Sequence, residues 1–128
     1  MAQTMRLFLL VEAASFVAAA LVHFGVLADG YRHRAAGTAE SVIGAVLLAG
    51  LVLTLLRPAG TRSAALTAQG LALLGTLVGL FTIAVGVGPR TAPDLAYHAA
   101  ILAVLAWGLV VAVRARAGDR GSSTASAG

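Results

Sequence analysis

Four long apolar runs divide the chain, and short polar segments separate them. The runs cover residues 7–28, 36–56, 63–88 and 92–113. Each run is close to the roughly 20 residues with which an α-helix crosses the hydrocarbon core of a bilayer. All three prolines lie in the connections or in the first turn of a predicted helix, where a missing backbone N–H does no damage: Pro58, Pro89 and Pro93. The pattern predicts an all-α transmembrane domain of four helices over residues 1–114.

The short connections predict that neighbouring helices run antiparallel, in an up-down-up-down bundle. Both termini then share one end with six of the nine arginines, and the other three lie at the opposite end. The two groups are Arg6, Arg57, Arg62, Arg114, Arg116 and Arg120, against Arg32, Arg34 and Arg90. Because basic residues collect on the cytoplasmic side of a membrane, we predict that both termini are cytoplasmic.

The composition supports a lipid environment. Hydrophobic residues make up 59% of the chain and charged residues 11%, and the mean hydropathy is +0.93. A soluble bundle needs a polar face on every helix, and these polar residues are too few to supply one. The net charge of +4 comes from arginines between the apolar runs, so no nucleic-acid partner is expected. Residues 115–128, rich in Gly, Ser, Thr and Ala, are predicted to form a disordered tail.

Small residues occupy one face of the third predicted helix, and this face includes a Gly75-x-x-x-Gly79 pair. Close helix packing is expected along such a face, because van der Waals contact is a main source of cohesion between helices in lipid. The sequence leaves open whether the partner helix belongs to the same chain or to a second copy in a homo-oligomer.

Ionisable residues inside the predicted spans are few, and such residues are candidates for function because they are costly in a membrane. They are Glu12, His23, Glu40, Asp94 and His98. All except Glu12 lie toward the predicted outer end, and those four can converge in an antiparallel bundle. Two imidazoles with one or two carboxylates suit a divalent metal such as zinc, non-haem iron or copper. The two histidines can also ligate a haem, and the same groups suit a proton relay.

Each candidate also has a simpler interpretation. Thr91-x-x-Asp94 forms a capping box, and Glu40 near the start of the second helix suits the positive helix terminus. His23 and His98 can each serve only as hydrogen-bonding partners near the interface. Glu12 either pairs with Arg6 or another arginine of the inner end, or exchanges protons from a buried position.

Residues 79–98 (GLFTIAVGVGPRTAPDLAYH) and 39–47 (AESVIGAVL) resemble small four-helix bacterial membrane proteins that are uncharacterised. The resemblance implies a bacterial source and location in the inner, cytoplasmic membrane, but no activity. Four helices in a short chain with Glu12 in the first also resemble small multidrug-resistance exporters, in which that carboxylate exchanges protons for cationic drugs. The chain departs from them in its few aromatic residues, its His23 and His98, and its arginine asymmetry.

Three hypotheses follow. The favoured one is a membrane protein that binds a metal ion or haem through His23, Glu40 and His98, with Asp94 in support. The second is a proton-coupled transporter of small cations that uses Glu12. The third is a structural or accessory subunit that docks through Gly75 and Gly79. No nucleotide, phosphate or hydrolase motif is present in the sequence, and no reaction is predicted.

Overall fold

The fold consists of four helices. A computed structural model describes the backbone of residues 1–125 and the side chains of residues 1–115. The helices are α1 (Ala2–His23), α2 (Arg34–Leu56), α3 (Thr61–Ala84) and α4 (Ala92–Ala125), with a 3₁₀ turn at Pro58–Gly60. The described backbone contains no strand, and all four helices are long and apolar enough to cross a membrane. The predicted all-α fold with four such helices is therefore confirmed.

Three finer predictions remain open. The alternating direction of the helices and the cytoplasmic location of the termini stay predictions. For the predicted tail, side chains beyond residue 115 and backbone beyond residue 125 lie outside the described residues. The tail therefore stays a prediction as well.

The first helix ends at His23 rather than at residue 28 because a glycine terminates it. Gly25 adopts the left-handed conformation, with φ of 75°. The N–H of Val26 donates to the carbonyl of Leu21 at 2.8 Å, and the N–H of Gly25 donates to Val22 at 2.9 Å. These two bonds form a Schellman motif, which ends a helix while the apolar run continues. Hydropathy alone therefore places this helix end too late.

The third helix ends in the same way. Gly86 has φ of 85°, and the N–H of Val87 donates to the carbonyl of Thr82 at 2.9 Å. A second Schellman motif therefore stops α3 at Ala84 instead of residue 88. Both motifs bring the following connection back toward the bundle within a few residues.

The core is narrow, and most large apolar side chains point outward. Leu9, Leu47 and Leu105 are fully buried, and α3 contributes three buried alanines: Ala65, Ala68 and Ala72. Only 22–33% of each apolar window is buried inside the protein. Exposed apolar surface of this extent is stable against lipid and not against water. Contact with a lipid bilayer is therefore the expected state of these faces.

The predicted small-residue face of α3 packs within the chain. A Cβ atom at Gly75 would lie 2.9 Å from the side chain of Ile43 on α2. A Cβ atom at Gly79 would lie 3.4 Å from Nε2 of His98 on α4. Both glycines thus face other helices of the same chain. At these two positions the partner helix therefore belongs to this chain and not to a second copy. Assembly into a homo-oligomer stays a prediction.

The two ends of the bundle carry different polar contacts. At one end, which we name the Arg6 end, Nη2 of Arg6 donates to the carbonyl of Thr54 at 2.7 Å. Nε of Arg62 donates to the carbonyl of Ala112 at 3.0 Å. The opposite end, where α1 stops and α2 and α4 begin, is the His23 end. Most of the ionisable candidates lie there.

Candidate functional site

Three ionisable side chains from three helices meet at the His23 end. His23 is the last residue of α1, Glu40 lies in the second turn of α2, and Asp94 lies in the first turn of α4. Their exposed fractions are 4%, 5% and 6%. Nδ1 of His23 lies 2.7 Å from Oε2 of Glu40, and its Nε2 lies 3.0 Å from Oδ1 of Asp94. We name these three residues the His23 cluster.

The connection between α1 and α2 brings the first two members of the cluster together. The N–H of His33 donates to the carbonyl of His23 at 2.9 Å, so the start of α2 lies beside the end of α1. Nδ1 of His33 accepts a hydrogen bond from Ala36 and caps α2. Its Nε2 consequently donates to the carbonyl of Val87 at 3.2 Å. Sequence reasoning assigns no role to His33, which stands between two arginines.

Asp94 combines a helix cap with its contact to His23. Its Oδ2 accepts hydrogen bonds from the hydroxyl of Thr91 and, at 3.1 Å, from the N–H of Thr91. The N–H of Asp94 donates in return to the Thr91 hydroxyl at 3.3 Å. This is the predicted capping box, and it leaves Oδ1 free to bind the imidazole. Capping and cluster formation are therefore compatible roles of one side chain.

Glu40 does not cap α2. His33 performs that role, and Glu40 lies beyond the first turn, so the capping interpretation of Glu40 is wrong. Within the described side chains, its one hydrogen bond is the bond to His23. Glu40 also lines a cavity of about 170 Å³ between the helices. It is thus the carboxylate of the cluster with the fewer donors, and it borders a different cavity from the one beside His23 and Asp94.

The cluster fixes how many protons its members share. A carboxylate only accepts hydrogen bonds, so each bond to His23 needs one proton between nitrogen and oxygen. An imidazolium between two carboxylates satisfies both bonds, and so does a neutral imidazole beside one carboxylic acid. Either arrangement leaves one net negative charge in a buried site, which is costly unless a further cation or proton balances it.

His98 lies beside the cluster and does not join it directly. Its Nδ1 donates to the backbone carbonyl of Asp94 at 2.7 Å, because a carbonyl oxygen only accepts. Its Nε2 lies against Gly79, where a Cβ atom would be 3.4 Å away, and His98 lines the same cavity as Glu40. The structure therefore brings three of the four predicted residues into contact and places the fourth at the cavity that Glu40 also lines.

The predicted metal or haem site receives no support from this arrangement. Among the described residues, no group of three His, Asp or Glu side chains is placed to hold a metal ion. Both nitrogens of His23 are engaged by carboxylates, whereas a ligating imidazole needs one nitrogen free for the metal. Among the imidazole nitrogens of the described residues, only Nε2 of His98 forms no hydrogen bond.

Glu12 forms a second buried polar site, nearer the Arg6 end. Its side chain is fully buried, and Nε2 of Gln69 donates to both carboxyl oxygens, at 3.0 and 3.1 Å. The predicted pair with Arg6 is not formed, since Arg6 binds Thr54. Sequence reasoning missed Gln69, although it is the one side-chain amide within the predicted spans. An amide inside an apolar run was the signal that could have identified it.

Comparison with known proteins adds no relative. No protein-family model, curated protein sequence or solved structure matches this chain. The resemblances drawn from residues 39–47 and 79–98, and the weaker one to multidrug exporters, stay predictions.

Proposed function

We propose that this integral membrane protein binds a small organic cation at the His23 end in exchange for a proton. The cation occupies the cavity that Glu40 and His98 both line, and the proton leaves one of these two side chains. This proposal keeps the cation-transporter hypothesis but assigns cation binding to Glu40 rather than to Glu12.

The unbalanced charge of the His23 cluster carries the proposal. Asp94 is stabilised as an anion by its donors from Thr91 and His23 and by the N-terminus of α4. Glu40 has one donor. The remaining negative charge is therefore balanced at the cavity, either by a proton on Glu40 or on Nε2 of His98, or by a cation beside them. Because one balancing charge is enough, proton and cation compete.

The cavity favours a small ligand with an apolar surface. Its volume is about 170 Å³, and apolar side chains form most of its wall. Phe16 contributes an aromatic ring, a surface on which alkylammonium groups bind. Glu40 and His98 supply polar groups on the wall. A quaternary ammonium fits this chemistry better than a hydrated inorganic ion, which loses its water shell only against many oxygen ligands.

Calorimetry with tetramethylammonium tests the proposal. The untagged protein in detergent is titrated in weak buffer while a pH dye reports released protons. We expect saturable binding with up to about one proton released per cation. Glu40→Gln keeps the shape of the side chain but removes the exchangeable charge, so binding and release should both disappear. Asp29→Asn, a change to an exposed acid in the α1–α2 connection, is the matched control. Binding that survives Glu40→Gln contradicts the proposal.

Mass spectrometry of bound metals separates this proposal from the metal-ion hypothesis. About one metal per untagged chain, lost in a His23→Ala/His98→Ala double variant, would establish the metal site instead. The accessory-subunit hypothesis predicts neither bound metal nor a response to tetramethylammonium. Location in the bacterial inner membrane, with the Arg6 end cytoplasmic, forms part of our proposal, and the excess of arginines at that end supports the orientation.

A further inference from the structure

We propose that protons pass between the His23 cluster and the Glu12–Gln69 pair along the interface of α1 and α4, through Tyr97 and Ser15. The inference builds on the proposed function, because it gives the proton exchanged at the His23 end a route into the membrane interior. It rests on two buried polar atoms without partners, in Tyr97 and Gln69, and on a cleft that Tyr97 and Ser15 line.

The Glu12–Gln69 pair is the inner terminus of the route. Glu12 has no cationic side chain within hydrogen-bonding distance in the described part of the chain, and its donor is a neutral amide. A carboxyl group enclosed in apolar surroundings without a cation is a group that binds and releases protons in membrane carriers. Gln69 adds a free acceptor, since its Oε1 is buried and forms no hydrogen bond.

Tyr97 supplies the second unpartnered atom. Its hydroxyl oxygen is buried and has no hydrogen-bond partner, although buried hydroxyls of this kind are nearly always paired. Tyr97 lies three residues after Asp94, hence one helical turn along α4. Its ring packs edge-on against Phe16, with ring centroids 6.0 Å apart. The hydroxyl is therefore held below the His23 cluster and is available to both accept and donate a proton.

Ser15 lies on the α1 side of the route, one helical turn from Glu12. It comes three residues after Glu12, and its hydroxyl donates to the backbone carbonyl of Glu12 at 3.2 Å. Ser15 and Tyr97 line one cleft between α1 and α4 together with His23 and Asp94. The cleft has a volume of about 470 Å³, and its polar groups come from Ser15, His23, Asp94 and the two tyrosines. Water molecules of about 30 Å³ each need such polar partners, so the route follows these groups along the cleft.

The distances along the helix fit a relay with water links. Eleven residues separate Glu12 from His23, which corresponds to about 16 Å at the rise of an α-helix. The hydroxyl of Tyr97 lies one helical turn from Asp94, and that of Ser15 lies one turn from Glu12. These two groups shorten the gaps that water molecules have to bridge. In each transfer a hydroxyl accepts one proton and releases its own on the other side, so no electrons move and no group keeps a new charge.

Proton flux in liposomes tests the route. The full chain is reconstituted with a trapped pH dye, and the internal pH is followed after an external pH step, with valinomycin and potassium to remove the membrane potential. We expect faster equilibration than in protein-free liposomes. Tyr97→Phe and Glu12→Gln should slow the protein-dependent rate by about a hundredfold, the loss typical of removing a group that transfers protons. Tyr31→Phe, at an exposed tyrosine on the same cleft, is the matched control.

The outcomes separate this inference from the proposed function. Tetramethylammonium binding at the His23 end should persist in Tyr97→Phe, which also shows that this variant is folded. A wild-type rate equal to that of protein-free liposomes overturns the route, and so does an unchanged rate in Tyr97→Phe. If the wild type does not bind tetramethylammonium, the proposed function is overturned, whatever the rate of proton flux is.

Discussion

Nδ1 of His23 lies 2.7 Å from Oε2 of Glu40, and this contact joins the last residue of α1 to the second turn of α2. Both side chains are almost completely buried. The contact makes two helices that are adjacent in sequence share a proton, and it leaves the other face of Glu40 toward the cavity. Four predictions about stability follow from this contact, from the capping box of α4, from the packing around Glu12 and from the glycine that ends α3.

Removing the imidazole should destabilise the fold strongly. In His23→Ala, the carboxyl groups of Glu40 and Asp94 lose their shared partner while both stay buried. Breaking a buried ionic contact from one side costs about 3–5 kcal/mol. Thermal unfolding in detergent should show a large drop in melting temperature. His33→Ala, which removes a helix cap, one bond to Val87 and an edge-on contact with the ring of His23 but leaves the His23 cluster bonded, should cost about 1 kcal/mol. Equal melting temperatures for the two variants would refute this ranking.

The capping box of α4 should contribute a smaller and separable amount. Thr91→Ala removes the hydroxyl that accepts from the N–H of Asp94, and the expected loss is about 1 kcal/mol. Thr38→Ala is the control, because Thr38 bonds only the carbonyl of Arg34 on an exposed surface. Chemical unfolding of both variants gives the two free energies, and a control that loses as much as Thr91→Ala would argue against a special role of the box.

Gly108 should be intolerant of a side chain. A Cβ atom there would overlap with Nε2 of Gln69 and lie 2.8 Å from Oε1 of Glu12. Gly108→Ala should therefore cost about 1–3 kcal/mol through overpacking. Gly70→Ala is the matched control, because Gly70 lies in the middle of α3 and nothing lies within 4 Å of its Cβ position. That change should stabilise α3 by up to about 1 kcal/mol. In thermal unfolding, we expect Gly108→Ala to lower the melting temperature and Gly70→Ala to raise it.

The end of α3 should depend on the backbone freedom of glycine. Gly86 has φ of 85°, a conformation that costs other L-residues about 1–2 kcal/mol. Gly86→Ala should lower the free energy of unfolding by about this amount. Gly60→Ala should not, because Gly60 has φ of −94° and open space at its Cβ position. Similar losses in the two variants would show that strain at Gly86 is not the cause.

The fold could be predicted from the sequence because bilayer thickness sets the length of an apolar helix, and this chain has four runs of that length. The helix ends at His23 and Ala84 could not be predicted by hydropathy, since both Schellman motifs lie inside apolar runs. A search for glycine followed by an apolar residue near the end of each run would have found Gly25-Val26 and Gly86-Val87.

The site could be predicted in part. The meeting of His23, Glu40 and Asp94 follows from their common end of the bundle, and spacing alone indicates it. The orientation of each ring does not follow from spacing, so the sequence favours metal ligation where the structure has hydrogen bonds. Gln69 was missed because an uncharged amide carries little weight in a search for ionisable groups. Its importance depends on facing Glu12, which is a matter of helix rotation.

The polar contacts at the two ends give the bundle a mechanical asymmetry. At the His23 end, one side chain holds α1, α2 and α4 together. At the Arg6 end, Arg6 links α1 only with α2, and Arg62 links α3 only with α4. Spreading these two pairs at the Arg6 end keeps both arginine bonds, but it breaks the buried bonds of Gln69 on α3 to Glu12 on α1 and the bond of Thr61 to Thr54. The bundle is thus held at the His23 end by one contact among three helices, and nearer the Arg6 end by the Glu12–Gln69 pair, which joins the α1–α2 half to the α3–α4 half.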